Sequence, residues 1–208
     1  MSHRPDWAEQ RQFLIRLYFG DLDVRDGFIG RAYRDFNRTL HGLRQHADKE
    51  RMKERAAIRM TALLKELAAM PAPSAGSLQE HFDGWHNDAC SMIIRCFADF
   101  GTFNYGQAQK WLNMTIKYRW FFGEVDPLNG WFKVAHIPVD DYVLRAAKAN
   151  GIPIPVRLPW SRWEASAYLR FQACVREYAA QRGMTPLEVE HLWWMGSPKG
   201  EIDSKVLS

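Results

Sequence analysis

Helix-start signals recur along this chain and constrain its fold more than any other feature. In a capping box, a Ser or Thr and a Glu three residues later satisfy each other's free backbone N–H groups, which marks a helix N-terminus. The spacing occurs three times: Ser77 with Glu80, Ser161 with Glu164, and Thr185 with Glu188, where Pro186 takes the first helical position. No segment sustains the period-two alternation of a half-buried strand. The sequence therefore predicts an all-α protein, with at most a short strand pair at 131–137.

Two amphipathic runs precede these signals. Apolar residues recur at three- and four-residue steps over 24–43 and again over 52–70. The basic run from Arg44 to Lys65 is interpreted as a solvated face, with phosphate contact as the alternative. Two prolines and a glycine in 71–76 cannot continue a helix. This predicts an N-terminal helical region at 1–70 and a second region at 77–208, although one compact unit also fits 208 residues.

Composition limits the compartment and the partners. No stretch approaches the roughly 18 apolar residues of a membrane span, and the polar start lacks the apolar run of a signal peptide. We therefore expect a cytoplasmic monomer without membrane contact. The three cysteines form no CxxC pair, so neither a metal site nor another cofactor is predicted. A net charge of +4 and a pI near 9.0 are compatible with a nucleic-acid partner but do not require one.

One stretch combines a helical hairpin pattern with a lysine. Helix-forming residues at 91–100 lead into a turn at 101–106 and then into a second helix at 107–117. Free N–H groups at such a helix start attract a phosphate, which predicts contact with a DNA backbone. The residues expected to bind DNA are Tyr105, Gly106, Gln107, Ala108 and Gln109. Lys110 falls near the first turn, where the helix dipole disfavours an ammonium and favours a nucleophilic amine.

A carboxylate follows at a second helix start. The segment 136–148 is predicted to enter extended and continue as a helix with Asp140 at its N-cap, where a carboxylate accepts backbone N–H bonds. The pattern Gly106-x-Ala108-x-Lys110, followed by Ile-Pro-Val-Asp140, resembles the signature of the helix-hairpin-helix DNA glycosylases of the endonuclease III and 8-oxoguanine glycosylase type. The resemblance covers about a quarter of the chain, at 99–148. Because the cysteine ligands of the iron–sulfur branch are absent, the 8-oxoguanine glycosylase branch is the closer comparison.

The resemblance implies an all-α fold of two helical lobes with a helix-hairpin-helix motif, and a base-excision activity. The partner would be duplex DNA with the target nucleotide flipped out of the stack. Lys110 would attack the sugar carbon as the base departs, forming a Schiff base that permits strand cleavage. Asp140 would stabilise the positive charge developing on the sugar and help to deprotonate the lysine. The chain departs from the family in having Ala108 in place of a glycine and a longer interval between the two catalytic residues.

Helical spacing places further residues beside Lys110. Positions three, four and seven residues along a helix share its face, so Asn113, Met114 and Lys117 are expected to line the base pocket. Trp131, in the longer interval, is expected to stack on the flipped base. Lys117 and Lys133 are alternative nucleophiles.

Two other classes of function are compatible with the same pattern. One is a non-catalytic helix-hairpin-helix module that binds DNA without cleaving it. The other is a helical interaction protein of a mobile-element or defence system, in which the motif arises by chance. Covalent trapping on DNA separates the enzyme from the binding module, and absence of DNA binding at low salt would favour the interaction protein.

Overall fold

The computed structural model describes residues 6–20, 27–71, 78–122, 128 and 130–196. Within these ranges the chain forms α-helices and short 3-10 turns and no strand, which confirms the all-α prediction there. The helices are α1 (Trp7–Phe19), α2 (Gly27–Phe36), α3 (Lys49–Ala69), α4 (Leu78–Arg95), α5 (Tyr105–Phe122), α6 (Asp141–Ala149), α7 (Ala165–Ala180) and α8 (Pro186–Trp194). None of the helices in the described ranges has the length and apolar character needed to cross a bilayer.

Helix α5 forms the centre of the molecule. Every residue from Tyr105 to Ile116 is buried, so this helix is covered on all sides. Helices α2, α4 and α7 pack against it, and α3 packs on α4. The apolar core runs continuously from Ile29 to Trp193, on both sides of the predicted linker. Most of that linker, and Ser77 with its predicted capping box, lie outside the described residues.

The helix-start predictions have different outcomes. At α8 the capping box is confirmed, with reciprocal bonds between Thr185 and Glu188 and a proline in the first turn. At α7 it is wrong, because Ser161 lies in a separate 3-10 turn, Trp160–Arg162, and the helix begins only after Glu164, which makes no side-chain cap bond. The strand pair that the sequence allowed at 131–137 does not form, since residues 131–134 are a turn and residues 135–139 belong to neither a helix nor a strand.

Gly106 occupies a different place from the one predicted. It lies inside α5 rather than in the preceding turn, because the helix already begins at Tyr105. Its N–H donates to the carbonyl of Trp163 at 3.0 Å, and a Cβ at this position would lie 2.0 Å from the carbonyl oxygen of Trp160. The glycine therefore permits close contact between α5 and the backbone of the 3-10 turn.

Candidate active site

The two residues predicted to carry the chemistry form a buried ion pair. Lys110 Nζ donates to Asp140 Oδ2 at 2.6 Å, across 30 positions of sequence. The Lys110 side chain is only 4% exposed, whereas Asp140 is 19% exposed and opens the pair to solvent. Asp140 is the N-cap of α6, where its Oδ1 accepts the N–H of Val143 at 2.8 Å. Lys110 is the sixth residue of α5, so it lies in the second turn, slightly deeper than expected.

A second lysine–carboxylate pair lies further along the same face of α5. Lys117 Nζ donates to Glu190 Oε1 of α8 at 2.7 Å, and the Glu190 side chain is fully buried. Trp194 Nε1 donates to the same oxygen at 2.7 Å, and Lys117 Nζ lies 5.1 Å from the centre of the Trp194 ring. Trp194 is 48% exposed and stacks on Tyr142 of α6, with ring centroids 4.1 Å apart.

The two pairs share one site where α5, α6 and α8 meet. Seven residues are almost two helical turns, so Lys110 and Lys117 point to the same side, about 10 Å apart along the helix axis. Burial lowers the pKa of Lys117, and the positive charge of Lys110 lowers it further, against the opposing effects of Glu190 and Asp140. The site thus concentrates two amines and two carboxylates beside a half-exposed indole.

The five residues expected to bind DNA lie inside the protein. Tyr105, Gly106, Gln107, Ala108 and Gln109 are all buried. The backbone N–H of Gly106 donates to Trp163, and those of Gln107 and Ala108 donate to the carbonyl of Asn104. These three N–H groups are therefore engaged inside the protein, and the 3-10 turn at Trp160–Arg162 covers this helix start.

Two of the four residues expected in the base pocket lie in other surroundings. The Asn113 amide is fully buried and bonds to Gln109, His86, Tyr168 and the carbonyl of Ile137. Trp131 is 5% exposed and lies against Phe82 of α4, so it offers no free face to a base.

The other predicted residues lie in three different environments. Met114 is 7% exposed and belongs to the apolar core. Of the four pocket residues, Lys117 alone joins the pair site. Lys133, an alternative nucleophile, is exposed and lies in the turn at 131–134.

Buried polar residues surround the segment 135–139, which leads to Asp140. His86 and His136, both fully buried, have ring centroids 4.6 Å apart, and the hydroxyl of Tyr168 lies within hydrogen-bond distance of both. His136 Nε2 lies 2.7 Å from Asp83, which also binds Arg176. Burial lowers the pKa of both histidines, which favours their neutral forms. Within the described ranges, no cluster of three or more His, Cys, Asp or Glu side chains is arranged to hold a metal ion.

The basic residues of α3 are compatible with both roles considered for the run from Arg44 to Lys65, a solvated face and phosphate contact. Arg55 and Arg59 line an open groove between α3 and α4, together with Arg95 and apolar side chains. Arg55 also donates to the carbonyl of Cys96 and lies 3.7 Å from Asp99. These arginines are exposed, which is compatible with a solvated face or with phosphate contact.

Sequence reasoning missed three residues of the site: Glu190, Trp194 and Tyr142. One signal was available in α8, because Leu187, Glu190 and Trp193 follow each other at three-residue steps. A glutamate on the apolar stripe of a helix has to find a buried partner. The identity of that partner, 73 residues away, depends on the tertiary fold.

No protein-family model, no curated protein and no solved structure matches this chain significantly.

Proposed function

We propose that this protein is a DNA glycosylase that excises a damaged base and cleaves the abasic strand through a Schiff base on Lys110. The observation that carries the proposal is the ion pair of Lys110 and Asp140, with 2.6 Å between Nζ and Oδ2. A lysine nucleophile needs a nearby base that can take its proton, and the partly exposed carboxylate of Asp140 has that position. The proposed fold is that of the helix-hairpin-helix glycosylases, with α4 and α5 as the two helices of the hairpin.

The proposed chemistry begins with proton transfer from the Lys110 ammonium to Asp140. The free amine then attacks C1′ of the deoxyribose, the bond from C1′ to the base breaks, and the base leaves with the bonding electron pair. The base takes the proton that Asp140 received from Lys110, which returns Asp140 to its carboxylate form. A proton then moves from Nζ to O4′ as the bond between C1′ and O4′ breaks, which gives an iminium between Nζ and C1′. Loss of a proton from C2′ then expels the 3′ phosphate and cuts the strand. The Asp140 carboxylate, ionised again once the base has left with the proton, would stabilise the positive charge of the iminium.

The second pair supports a recognition role beside the nucleophile. Glu190 holds both Lys117 and the indole N–H of Trp194, so the three residues form a preorganised unit. An ammonium donates hydrogen bonds and accepts none, which favours a base edge rich in carbonyl oxygens. The exposed part of the Trp194 ring, beside the stacked Tyr142, would provide apolar contact surface for the flipped base. An oxidised purine such as 8-oxoguanine, with carbonyls at both C6 and C8, fits this combination.

The backbone contacts of the DNA would lie elsewhere than at 105–109, which is covered. The exposed arginines of α3 and Arg95 of α4 are the alternative carriers of phosphate contact. A protein that bound DNA through them with an inert lysine pair would be the binding module, the second function compatible with the sequence.

Borohydride trapping tests the proposal. Wild type is incubated with duplexes that carry 8-oxoguanine, uracil, an alkylated purine or an abasic site, because borohydride reduces the iminium to a stable amine. We expect a covalent adduct with wild type and with Lys133→Gln, which removes an exposed lysine outside the site. No adduct is expected with Lys110→Gln, and Asp140→Asn should form it about 10²-fold or more slowly.

Each outcome discriminates between the functions. An adduct that persists in Lys110→Gln and disappears in Lys117→Gln would transfer the nucleophile role to Lys117. DNA binding without adduct or base release on every duplex would favour the binding module. Absence of DNA binding at low salt would favour the interaction protein.

A further inference from the structure

The segment 135–139, which leads into Asp140, belongs to neither a helix nor a strand. Its backbone groups are buried and still need hydrogen-bond partners. Side-chain amides fill that role. Gln172 of α7 accepts the N–H of Ile137 at 3.2 Å and donates to its carbonyl at 2.8 Å, and Gln109 of α5 makes the same pair of bonds two residues further on, at Val139.

Gln109 uses all four hydrogen-bonding positions of its amide. Nε2 donates to the carbonyls of Gly106 at 2.8 Å and Val139 at 3.0 Å. Oε1 accepts the N–H of Val139 at 3.1 Å and one N–H of Asn113 at 3.2 Å. The side chain is fully buried, so water cannot replace any of these bonds. The amide is therefore fixed in orientation and holds both polar groups of one residue.

The two ends of this bridge adjoin the two proposed catalytic residues. Gln109 directly precedes Lys110, and the carbonyl that it holds belongs to the peptide bond between Val139 and Asp140. One rigid contact thus connects the backbones on which both partners of the 2.6 Å ion pair are built. The N-cap bond from Val143 orients the Asp140 side chain but leaves its distance from α5 to other contacts.

We propose that Gln109 is a positioning residue that sets the distance and orientation between Lys110 and Asp140. The inference rests on the proposed function for its catalytic consequence, whereas the geometric claim stands on the ion pair alone. Positioning errors of about 1 Å reduce rates by about 10²-fold even when binding is intact. Loss of the bridge should therefore slow the chemistry and leave DNA affinity unchanged.

Gln172 provides the matched control. Gln109→Met and Gln172→Met remove the same pair of bonds from the same segment, and both residues are fully buried. Gln109→Met also removes the bonds to Gly106 and Asn113, so it should lose more thermal stability than Gln172→Met. Only Gln109 adjoins Lys110 and Asp140, so only its loss should disturb the ion pair. If the Met variants do not fold, Gln109→Asn and Gln172→Asn make the same comparison, because the shorter amide stays neutral but cannot reach both backbone groups.

The experiment has two readouts. The first is the single-turnover rate of borohydride trapping on the best duplex, measured with DNA affinity at a temperature where all variants are folded. We expect Gln109→Met to trap about 10²-fold more slowly with DNA affinity within about threefold of wild type, and Gln172→Met to keep a rate close to wild type. The second needs no DNA: the rate at which formaldehyde and a mild borane methylate Lys110, read by peptide mass spectrometry. Release from Asp140 should raise it severalfold in Gln109→Met alone.

The outcomes separate the two claims. If the trapping and methylation rates of both variants change in proportion to their loss of thermal stability, Gln109 is an ordinary structural residue. That result would overturn the inference. If wild type forms no adduct, the proposed function fails. The methylation rate then still decides the geometric claim, since faster reaction in Gln109→Met alone supports positioning and equal rates contradict it.

Discussion

The two lysine–carboxylate pairs on α5 resemble each other in composition but differ in their surroundings. Asp140 caps a helix, accepts a backbone N–H and is partly exposed, so the pair that it forms with Lys110 opens to solvent. Glu190 has no exposure, and an indole N–H shares one of its two oxygens with Lys117. Under the proposed function, the first pair would therefore be the one that exchanges a proton with a substrate. The second is a fixed donor unit, because a fully buried carboxylate requires a permanent partner.

The largest expected effect on stability separates the pairs directly. Lys117→Met leaves Glu190 buried without its counter-ion, which should lower the free energy of unfolding by about 3–5 kcal/mol. Lys110→Met leaves a partly exposed carboxylate that still accepts a backbone N–H, so its cost should be about 1–2 kcal/mol. Urea denaturation of both variants measures the difference. Equal losses would mean that the two carboxylates are equally well solvated, and the contrast between the pairs would then be wrong.

A second prediction disturbs the Lys110 end of α5 and leaves the Lys117 end in place. Gly106→Ala places a Cβ 2.0 Å from the carbonyl oxygen of Trp160, so α5 and the 3-10 turn must separate, at a cost of about 1–3 kcal/mol or more. Gly84→Ala is the control, because this helical glycine has open space around its Cβ position and should gain about 0.5–1 kcal/mol. Thermal melting of both proteins gives the signs. A neutral Gly106→Ala would show that the two backbones are free to move apart.

The two buried histidines, His86 and His136, predict that the free energy of unfolding depends on pH. Burial lowers the pKa of His86 and His136, so below their ordinary value of 6.5 the unfolded chain binds protons that the folded protein excludes. Stability is therefore intact above pH 6.5 and falls as the pH decreases, by up to about 1.4 kcal/mol per pH unit for each histidine. Unfolding curves between pH 5 and 8 measure the slope. We expect a shallower slope in His86→Gln than in wild type, and an equal slope would contradict the prediction.

The smallest predicted effect concerns the cap beneath the first pair. Asp140→Asn keeps a side-chain oxygen for the N–H of Val143, whereas Asp140→Ala removes it and should cost about 1 kcal/mol more. Both variants lack the carboxylate, so both should lose trapping to the same degree. Chemical denaturation combined with the trapping assay distinguishes the two roles. If Asp140→Asn retained full trapping, the carboxylate would have no part in the chemistry.

Local signals in the sequence predicted local structure well. The capping residues Thr185 and Asp140 mark helix starts where they were expected, because a cap depends on residues three positions away. The prediction that Gly106 lies in a turn was wrong. This glycine allows close contact with Trp160, which only the tertiary fold brings near. Ser161 and Glu164 have the spacing of a capping box, yet the packing of that same turn on α5 prevents the helix from starting there.

The site shows the same division between local and distant information. Lys110 and Asp140 were predicted together because their motifs are recognisable along the chain, and the fold brings them within hydrogen-bond distance. Glu190 and Gln109 act through partners 73 and 30 positions away, which no spacing rule indicates. Hydrophobic periodicity could not predict which face of α5 points to which neighbour, since a helix buried on all sides has no polar face to define its orientation.

The proposed chemistry requires that Lys110, rather than Lys117, becomes covalently attached to the sugar. Mass-spectrometric mapping of the borohydride-reduced adduct on an abasic duplex decides this, because the modified lysine is identified by its peptide. We expect a single modified residue, Lys110, with Lys117 unmodified in the same digest. An adduct on Lys117, or on any lysine outside the pair site, would show that Lys110 is not the nucleophile.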